Sequence, residues 1–371
     1  MRDPDVIRFY PEARTAHLER AAEMAQATTL YLHRRGDFDQ TLADQRPDFK
    51  QVRFIGLVAR LVRSPPRVLE VPEPMWFRYA PLVITLLWTL KVFGPARARG
   101  LRVVTYAIEN SPIERRPRPL ARFPRSIWLL AARILVALQV RHLDRVVFGT
   151  IGARSALMAA VSKRQRRRLA SVSRTVEAIP AVCDCLRNGP TESDRDSVLF
   201  LGALEHRKGV DVLLRAWPMV RALVPTARLT IAGEGPMQEL VSEATLADSS
   251  ITYVQGAPRS RVHEMLRAAH VVVLLSQPAG RWREQVGLPI IEGVAHGCRI
   301  VTTDETGMAQ WLRSQGQIVI SVPTEPSVAA EALVEALQGP AGGMDYHLAR
   351  IDGRLEADAW LVEGGRGPTR R

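Results

Sequence analysis

Glu284 and Glu292 stand eight residues apart in the run REQVGLPIIEGVAHGCRIV (283–301), and Gly287 between them opens an expected helix that ends near Gly297. The first turn of a helix leaves backbone N–H groups without partners and carries about half a positive charge, so the amides of Gly287 and Leu288 favour an anion such as a phosphate. Glu284 precedes that helix and Glu292 lies within it. Two carboxylates placed in this way can flank one elongated ligand and accept hydrogen bonds from sugar hydroxyls. Taken alone, they are equally two solvated glutamates around a helix cap. Further glycines close expected strands: Gly202 after VLFL, Gly233 and Gly235 in IAGEGP, and Gly256 in YVQG. Ligands of an open parallel sheet sit at the carboxyl ends of its strands, where glycine lets backbone approach closely. Arg207 and Lys208 follow the first of these glycines and precede Gly209 and a helix, a place from which two cations can clamp a diphosphate. Either one alone is an ordinary surface charge.

The elements that must position these residues alternate between short β-branched runs and amphipathic helical patterns. In the second half the expected strands are 197–202, 228–232, 251–254, 271–275 and 299–302, separated by helices at 211–224, 236–247, 259–269 and 287–296. This is a doubly wound α/β domain. The first half alternates less regularly, with strands at 28–33, 51–55, 68–71, 102–107 and 145–148 and strongly apolar helices at 80–93 and 126–140, and reads as a second α/β domain. The polar, turn-rich segment 182–196 carries the boundary. The expected division is a basic first domain at 1–185, a second at 186–345, and a partly disordered tail at 346–371, near GPAGG and GGRGP.

Composition removes several classes of function. The chain has 371 residues, 46% hydrophobic and 24% charged, which excludes a disordered or peptide-sized reading. Three cysteines, Cys183, Cys185 and Cys298, are too few for a disulfide framework, and one C-x-C makes no metal site. The charged start lacks the apolar run of a secretory signal, and the twelve-residue apolar stretch 79–90 is short of the roughly 20 needed to span a bilayer. A cytoplasmic protein is expected. The net charge of +13 is uneven: residues 1–190 carry 33 basic and 16 acidic side chains, and 191–371 carry 18 and 22. Arginines concentrate at 113–125 and 162–174, close in sequence to the apolar helices 80–93 and 126–140. Basic runs beside apolar helices fit peripheral attachment to an anionic membrane surface, at roughly 1 kcal/mol per basic side chain. The same helices also read as domain core. Nucleic-acid binding is disfavoured, because no zinc-finger, RNP or helix-turn-helix pattern accompanies the arginines.

Taken in order, GALEHRKGVDVLLRAW, IAGEGP, ITYVQGAPRSRVHEMLRAAHVVVLLS and EQVGLPIIEGVAHGCRIV resemble the C-terminal, donor-binding domain of the retaining glycosyltransferases of family 4 (glycosyl transferases group 1), over about 130 residues. The Glu-x7-Glu spacing with Gly287 and Leu288 inside it is the most specific element. The resemblance implies the GT-B fold, two Rossmann-like doubly wound domains facing a central cleft. It implies that Glu292 holds the ribose hydroxyls of a sugar nucleotide and that Glu284 contacts the transferred sugar, with the backbone of Val286, Gly287 and Leu288. Lys208 matches the phosphate-binding lysine, and Gly256, Ala257 and Pro258 match the loop beside the base. The family usually has an arginine directly after the first glycine; here Ala203 stands there, and Arg207 would supply that charge from the next turn. The first domain departs further: RFYPEARTAHLERAAEMA lacks a glycine pair, and VVTYAIENSP puts Glu109 and Asn110 near the place of a mid-domain histidine, with His17 a weaker candidate. Glu109 reads equally as a capping residue.

The expected activity is therefore retaining transfer of a sugar from a nucleoside-diphosphate sugar to a lipid-linked or otherwise anionic saccharide of the cell envelope. Glu284, Lys208, Arg207 and Glu109 are the catalytic candidates, and no metal or other cofactor is expected. The alternative is a non-catalytic sugar-nucleotide-binding or assembly module on the same fold, motivated by Ala203.

Overall fold

The computed structural model describes residues 5–363 apart from 15–16, 19–20, 22–23, 25, 36–37, 94–99, 116–123, 180–193, 281 and 340–351. The chain forms two compact units, Met1–Val176 with Arg354–Arg371, and Glu177–Gly353, here called unit 1 and unit 2.

Unit 1 is built on a seven-stranded sheet: β1 (Val6–Ala13), β2 (Thr28–Arg34), β3 (Phe49–Gln51), β4 (Val68–Glu70), β5 (Arg102–Ala107), β6 (Arg145–Phe148) and β7 (Ser173–Thr175). The spatial order is 3-2-1-4-5-6-7, and every pairing is parallel. The described helices are α1 (Gln40–Asp44), α2 (Phe54–Arg63), α3 (Ala80–Phe93), α4 (Arg125–Val140), α5 (Ile151–Ala160) and α6 (Lys163–Val172). Unit 2 has β8 (Asp194–Leu201), β9 (Arg228–Ala232), β10 (Ile251–Val254), β11 (Ala269–Leu274), β12 (Arg299–Thr303) and β13 (Ile318–Ile320), in the all-parallel order 10-9-8-11-12-13. Its helices are α7 (Val210–Leu223), α8 (Gln238–Ala247), α9 (Arg259–Ala268), α10 (Leu288–Ala295), α11 (Ala309–Ser314) and α12 (Pro326–Gln338). A parallel strand is covered on both faces, and β11, AHVVVL, is accordingly buried at every position. In each sheet the order reverses beside the first strand, between β1 and β4 and between β8 and β11. Each reversal is a switch point at which two loops diverge and leave a crevice.

Of the expected tail at 346–371, residues 346–351 and 364–371 lie outside the described residues, and the rest holds a helix. The final helix α13 (Gly353–Glu363) belongs to unit 1. Ala357, Leu361 and Val362 fall on one face of this helix and pack on Val6, Val68, Val104 and Val147. Those valines point to the sheet face opposite Ile7, Phe9, Leu69 and Phe148, which pack in the main core. Charge ties the helix down as well. Arg8, 2% exposed, reaches Asp358 at 2.7 Å and Glu70 at 3.2 Å, and Arg354 reaches Glu70 at 3.0 Å. Burial alone would lower the Arg8 pKa; Glu70 and Asp358 outweigh it, and the guanidinium is held above its ordinary value. Arg145 and Arg102 donate to the carbonyls of Trp360 and Val362 near the end of α13, at 2.7 and 2.6 Å, where orphan carbonyls and the negative end of the helix dipole favour cations.

Three further differences follow from the structure. The division between units falls at Val176/Glu177, earlier than 185/186, and most of the segment proposed for the boundary lies outside the described residues. The expected strand 51–55 is instead the end of β3, a short connection and the start of α2, because Arg53 already caps that helix. The first strand, β1, was not among those expected.

Asp358→Ala removes one of the two carboxylates from a buried guanidinium. It is expected to destabilise unit 1 by about 3–5 kcal/mol, read as a lower urea midpoint; a loss under about 1 kcal/mol would mark an ordinary surface pair instead.

Candidate functional site

The switch point of unit 2 gathers most of the residues singled out in the sequence. After β8, Gly202 turns the chain and a short 3-10 turn, His206–Lys208, leads into α7. The carbonyl of Arg207 accepts the Gln277 N–H at 3.0 Å, which ties this turn to the segment leaving β11. Lys208 Nζ pairs with Glu284 Oε2, with the two side chains only 13% and 11% exposed. Ser276, directly beyond β11, donates its hydroxyl to the same carboxylate oxygen at 3.2 Å. Arg207 pairs with Glu205, and its guanidinium lies 4.3 Å from the Trp282 ring centroid, while Lys208 Nζ lies 5.0 Å from the same centroid. Both cations thus lie over the same aromatic ring.

The loop that carries Glu284 is fixed from the far side. Arg283 donates to Glu305 and to the Asp304 carbonyl, both at 3.0 Å; Thr306 donates its hydroxyl to the Val286 carbonyl at 2.8 Å; and the Gly307 N–H reaches the Glu284 carbonyl at 3.1 Å. Thr303 completes the link by donating to the Ser276 carbonyl at 2.6 Å. The turn after β12 therefore braces the loop after β11. Gly287 then caps α10 with φ +80°, and Pro289, in the first turn, offers no N–H, so the amides of Gly287 and Leu288 are the ones presented at this end. Leu288 is half exposed beside them. Val286 is buried under the same turn.

Glu292 lies one turn further along α10 and is half-buried. Its carbonyl accepts from His296 Nδ1 at 2.7 Å, and His296 Nε2 lies 3.1 Å from His263 Nδ1, so the end of this helix is tied to α9. The glycines divide into two kinds. A Cβ on Gly233 would stand 1.8 Å from the Gly202 carbonyl oxygen, and one on Gly235 would stand 2.6 Å from that of Leu204, so these two glycines let neighbouring loops cross. At Gly202 a Cβ would meet only Leu274, at 3.9 Å, which leaves room for a ligand. Gly256 and Pro258 are exposed and Ala257 is half-buried in the loop after β10. Ala203 is half-buried, beside Gly202.

Glu109 belongs to unit 1. Its carboxylate accepts the Ser111 N–H at 3.0 Å and its own N–H donates to Glu73 at 3.0 Å, the geometry of a capped turn. His17, also in unit 1, stacks on Tyr10 with ring centroids 4.5 Å apart. Among the described residues, no group of three or more His, Cys, Asp or Glu side chains could hold a metal ion. Cys183 and Cys185 lie outside the described residues; Cys298 is buried, and burial pushes its thiol up to about 12.

Sequence reasoning missed Ser276, Trp282 and the bracing turn 303–307. Ser276 directly follows an expected strand, a signal overlooked because glycines alone marked the strand ends. Trp282 lies two residues before Glu284, on the loop already singled out.

Residues 195–339 match the family model described as glycosyl transferases group 1. A GDP-mannose-dependent alpha-(1-6)-phosphatidylinositol monomannoside mannosyltransferase from Mycolicibacterium smegmatis is 25% identical over 243 residues, 60% of this chain and 63% of that protein. A glycogen synthase from Mycobacterium tuberculosis is 30% identical over 158 residues, 42% of this chain and 36% of that protein. The chain thus spans less than two thirds of the length of either relative. Among solved structures, Anabaena HepE in complex with UDP superposes with a TM-score of 0.60 at 14% identity, covering 96% of this chain and 94% of that one. The lipopolysaccharide outer core galactosyltransferase WaaB superposes with a TM-score of 0.60 at 13% identity, covering 96% and 97%. The fold is that of the GT-B glycosyltransferases, two Rossmann-like units each with a parallel sheet.

Gly287→Ala places a Cβ 2.7 Å from Ile290 Cδ1 on left-handed backbone. It is expected to destabilise unit 2 by about 1–2 kcal/mol, read as a lower thermal midpoint. An unchanged midpoint would show that this turn is not held in its positive-φ form.

Proposed function

We propose that this protein is a retaining glycosyltransferase that takes its sugar from a nucleoside-diphosphate sugar bound by unit 2 and passes it to a saccharide or lipid-linked acceptor. The observation that carries the reading is the junction of Lys208, Glu284 and Ser276 at the switch point, next to the amides that open α10. Positive charge there is aimed at a diphosphate, and it becomes more favourable as the sugar leaves and charge accumulates on the leaving oxygen. Glu284 accepts hydroxyls of the transferred sugar. Glu292, further along the same helix, accepts those of the ribose. The family match over 195–339 spans these residues, and the resemblance of the motif Glu284-x7-Glu292 to that of the retaining family supports their roles and retention of configuration.

Thermal-shift screening of the intact protein with UDP, GDP and their sugar conjugates tests the reading, because a ligand that binds only the folded state must raise the melting temperature. Stabilisation by one nucleotide series is expected, and Lys208→Ala is expected to remove most of it. Glu284→Gln should still bind the bare nucleotide while losing about 10²–10³-fold in transfer. No stabilisation by any nucleotide overturns the proposal, and donor binding without transfer to any acceptor identifies the non-catalytic module instead.

Unit 1 is also proposed to attach peripherally to an anionic membrane surface. No helix among the described residues is long and apolar enough to cross a membrane. Yet α3 exposes Trp88, Val92 and Phe93, and α4, packed against it, exposes Ile127, Leu130 and Ile134 at helical spacing. Six large apolar side chains at 49–68% exposure are more than scattered surface hydrophobics. Arg125 and Arg133 on α4, Lys91 on α3 and Lys163, Arg164, Arg166 and Arg167 on α6 are exposed and offer the matching charge. Co-sedimentation with vesicles containing phosphatidylglycerol is expected to exceed that with neutral vesicles, and Phe93→Ser combined with Leu130→Ser should abolish it. Equal absence of binding to both vesicle types rules the attachment out.

A further inference from the structure

Both cations assigned to the diphosphate already hold a carboxylate. Arg207 pairs with Glu205 through Nε and, at 3.1 Å, through Nη2, and Lys208 pairs with Glu284. Seating a diphosphate therefore means exchanging carboxylate oxygens for phosphate oxygens on two long side chains. A side chain between partners has many rotamers open to it, and those that leave the crevice are lost to the ligand. Trp282 is common to both cations: its ring centroid lies 4.3 Å from Arg207 Cζ and 5.0 Å from Lys208 Nζ. An aromatic face attracts a cation through its quadrupole, yet brings no charge and no oxygen that would compete with phosphate. It can keep hold throughout the exchange. The ring in turn stands on fixed backbone. Ala279 and Trp282 form an antiparallel bridge, the Trp282 N–H donates to the Ala279 carbonyl at 3.0 Å, and Gly280, at φ +57°, makes the turn between them. Directly after it, Arg283 is anchored to Glu305 and to the Asp304 carbonyl.

We propose that Trp282 is a positioning residue for the diphosphate: its ring holds Arg207 and Lys208 at the crevice while their carboxylates give way to phosphate. This rests on the nucleoside-diphosphate reading above and adds to it a residue that acts through others. Ala203 gives the ring its weight. That residue, beside Gly202, brings no charge, and His206, with its side chain 80% exposed, lies 3.4 Å from Asp211. The loop 202–209 thus offers the crevice Arg207 and Lys208, and one ring gathers both. Glu205 and Glu284 then act as resident counter-ions, which keep the two like charges together before a ligand arrives.

Calorimetric titration of the intact protein with UDP, UMP, GDP and GMP tests the proposal. For the base that binds, Trp282→Leu should narrow the advantage of the diphosphate over the monophosphate about tenfold, because the second phosphate is what calls on both cations. A merely misfolded loop would weaken the two nucleotides alike. Trp282→Phe keeps an aromatic face and should restore most of the advantage. In a double-mutant cycle, Trp282→Leu and Arg207→Gln together should cost less than the product of their separate losses, since the ring acts in part through that guanidinium. An unmoved ratio, equal weakening of both nucleotides, a Phe variant no better than the Leu variant, or independent losses in the cycle overturns the proposal. Any of these with a wild type that still binds a diphosphate leaves the donor reading standing. A wild type that binds neither diphosphate sinks both.

Discussion

The ion pair between Lys208 and Glu284 joins two loops that leave adjacent strands of unit 2 and diverge from one another. In a parallel sheet those loops are free to separate, because the crossover helices carry the chain to opposite faces on either side of the reversal. Here a cation from the first loop and a carboxylate from the second neutralise each other in a partly buried place, with Ser276 as a third member. Desolvation of such a pair offsets much of its attraction, so its value to stability is small. Its value lies in position. The pair fixes where positive charge stands relative to the opening of α10, and the turn 303–307 holds the carboxylate end of it against drift.

The same topological device carries different side chains in the two units. In unit 2 the crevice sets Lys208 and Arg207, each paired with a glutamate, beside helix amides; in unit 1 it is lined by Glu12, Glu70 and Glu73, with Glu70 paired to Arg8 and Arg354 and Glu12 to Arg78. A sheet reversal supplies only a place where loops part. What it recognises is decided by the few side chains those loops carry, so two halves of similar architecture can take chemically unlike ligands.

The sequence made unit 2 easy to read and unit 1 hard, for physical reasons that individual residues show. Ala269–Leu274 and Arg228–Ala232 are short apolar strands bounded by turns, and the helix from Leu288 is announced by glycine and proline, so each local pattern agrees with the final fold. Strand β1 escapes such reading because Arg8, Tyr10 and Glu12 alternate along it and imitate a solvated face. Their partners lie far along the chain, Glu70 at 60 residues from Tyr10 and Asp358 at 350 from Arg8, and no local pattern announces pairings of that span. The helix at 353–363 was not legible for the converse reason: its glycine-rich flanks point to partial disorder, while Ala357 and Leu361 find their partners on strands of the first unit, far back in the chain. At the site, the carboxylates and Lys208 were legible from spacing, whereas the contact of Trp282 with two cations depends on a loop course that spacing does not encode.

The return of α13 to the first sheet sets an order on biosynthesis. As the polypeptide emerges from the ribosome, Val6, Val68, Val104 and Val147 form a bare apolar strip, and Arg8 and Glu70 face each other without Asp358 or Arg354. That strip stays unsatisfied throughout translation of the next 177 residues, Glu177–Gly353, which complete unit 2. The half made first is thus the half finished last, and the nascent chain carries an adhesive surface through about half of its elongation, the period in which a chaperone has most to shield.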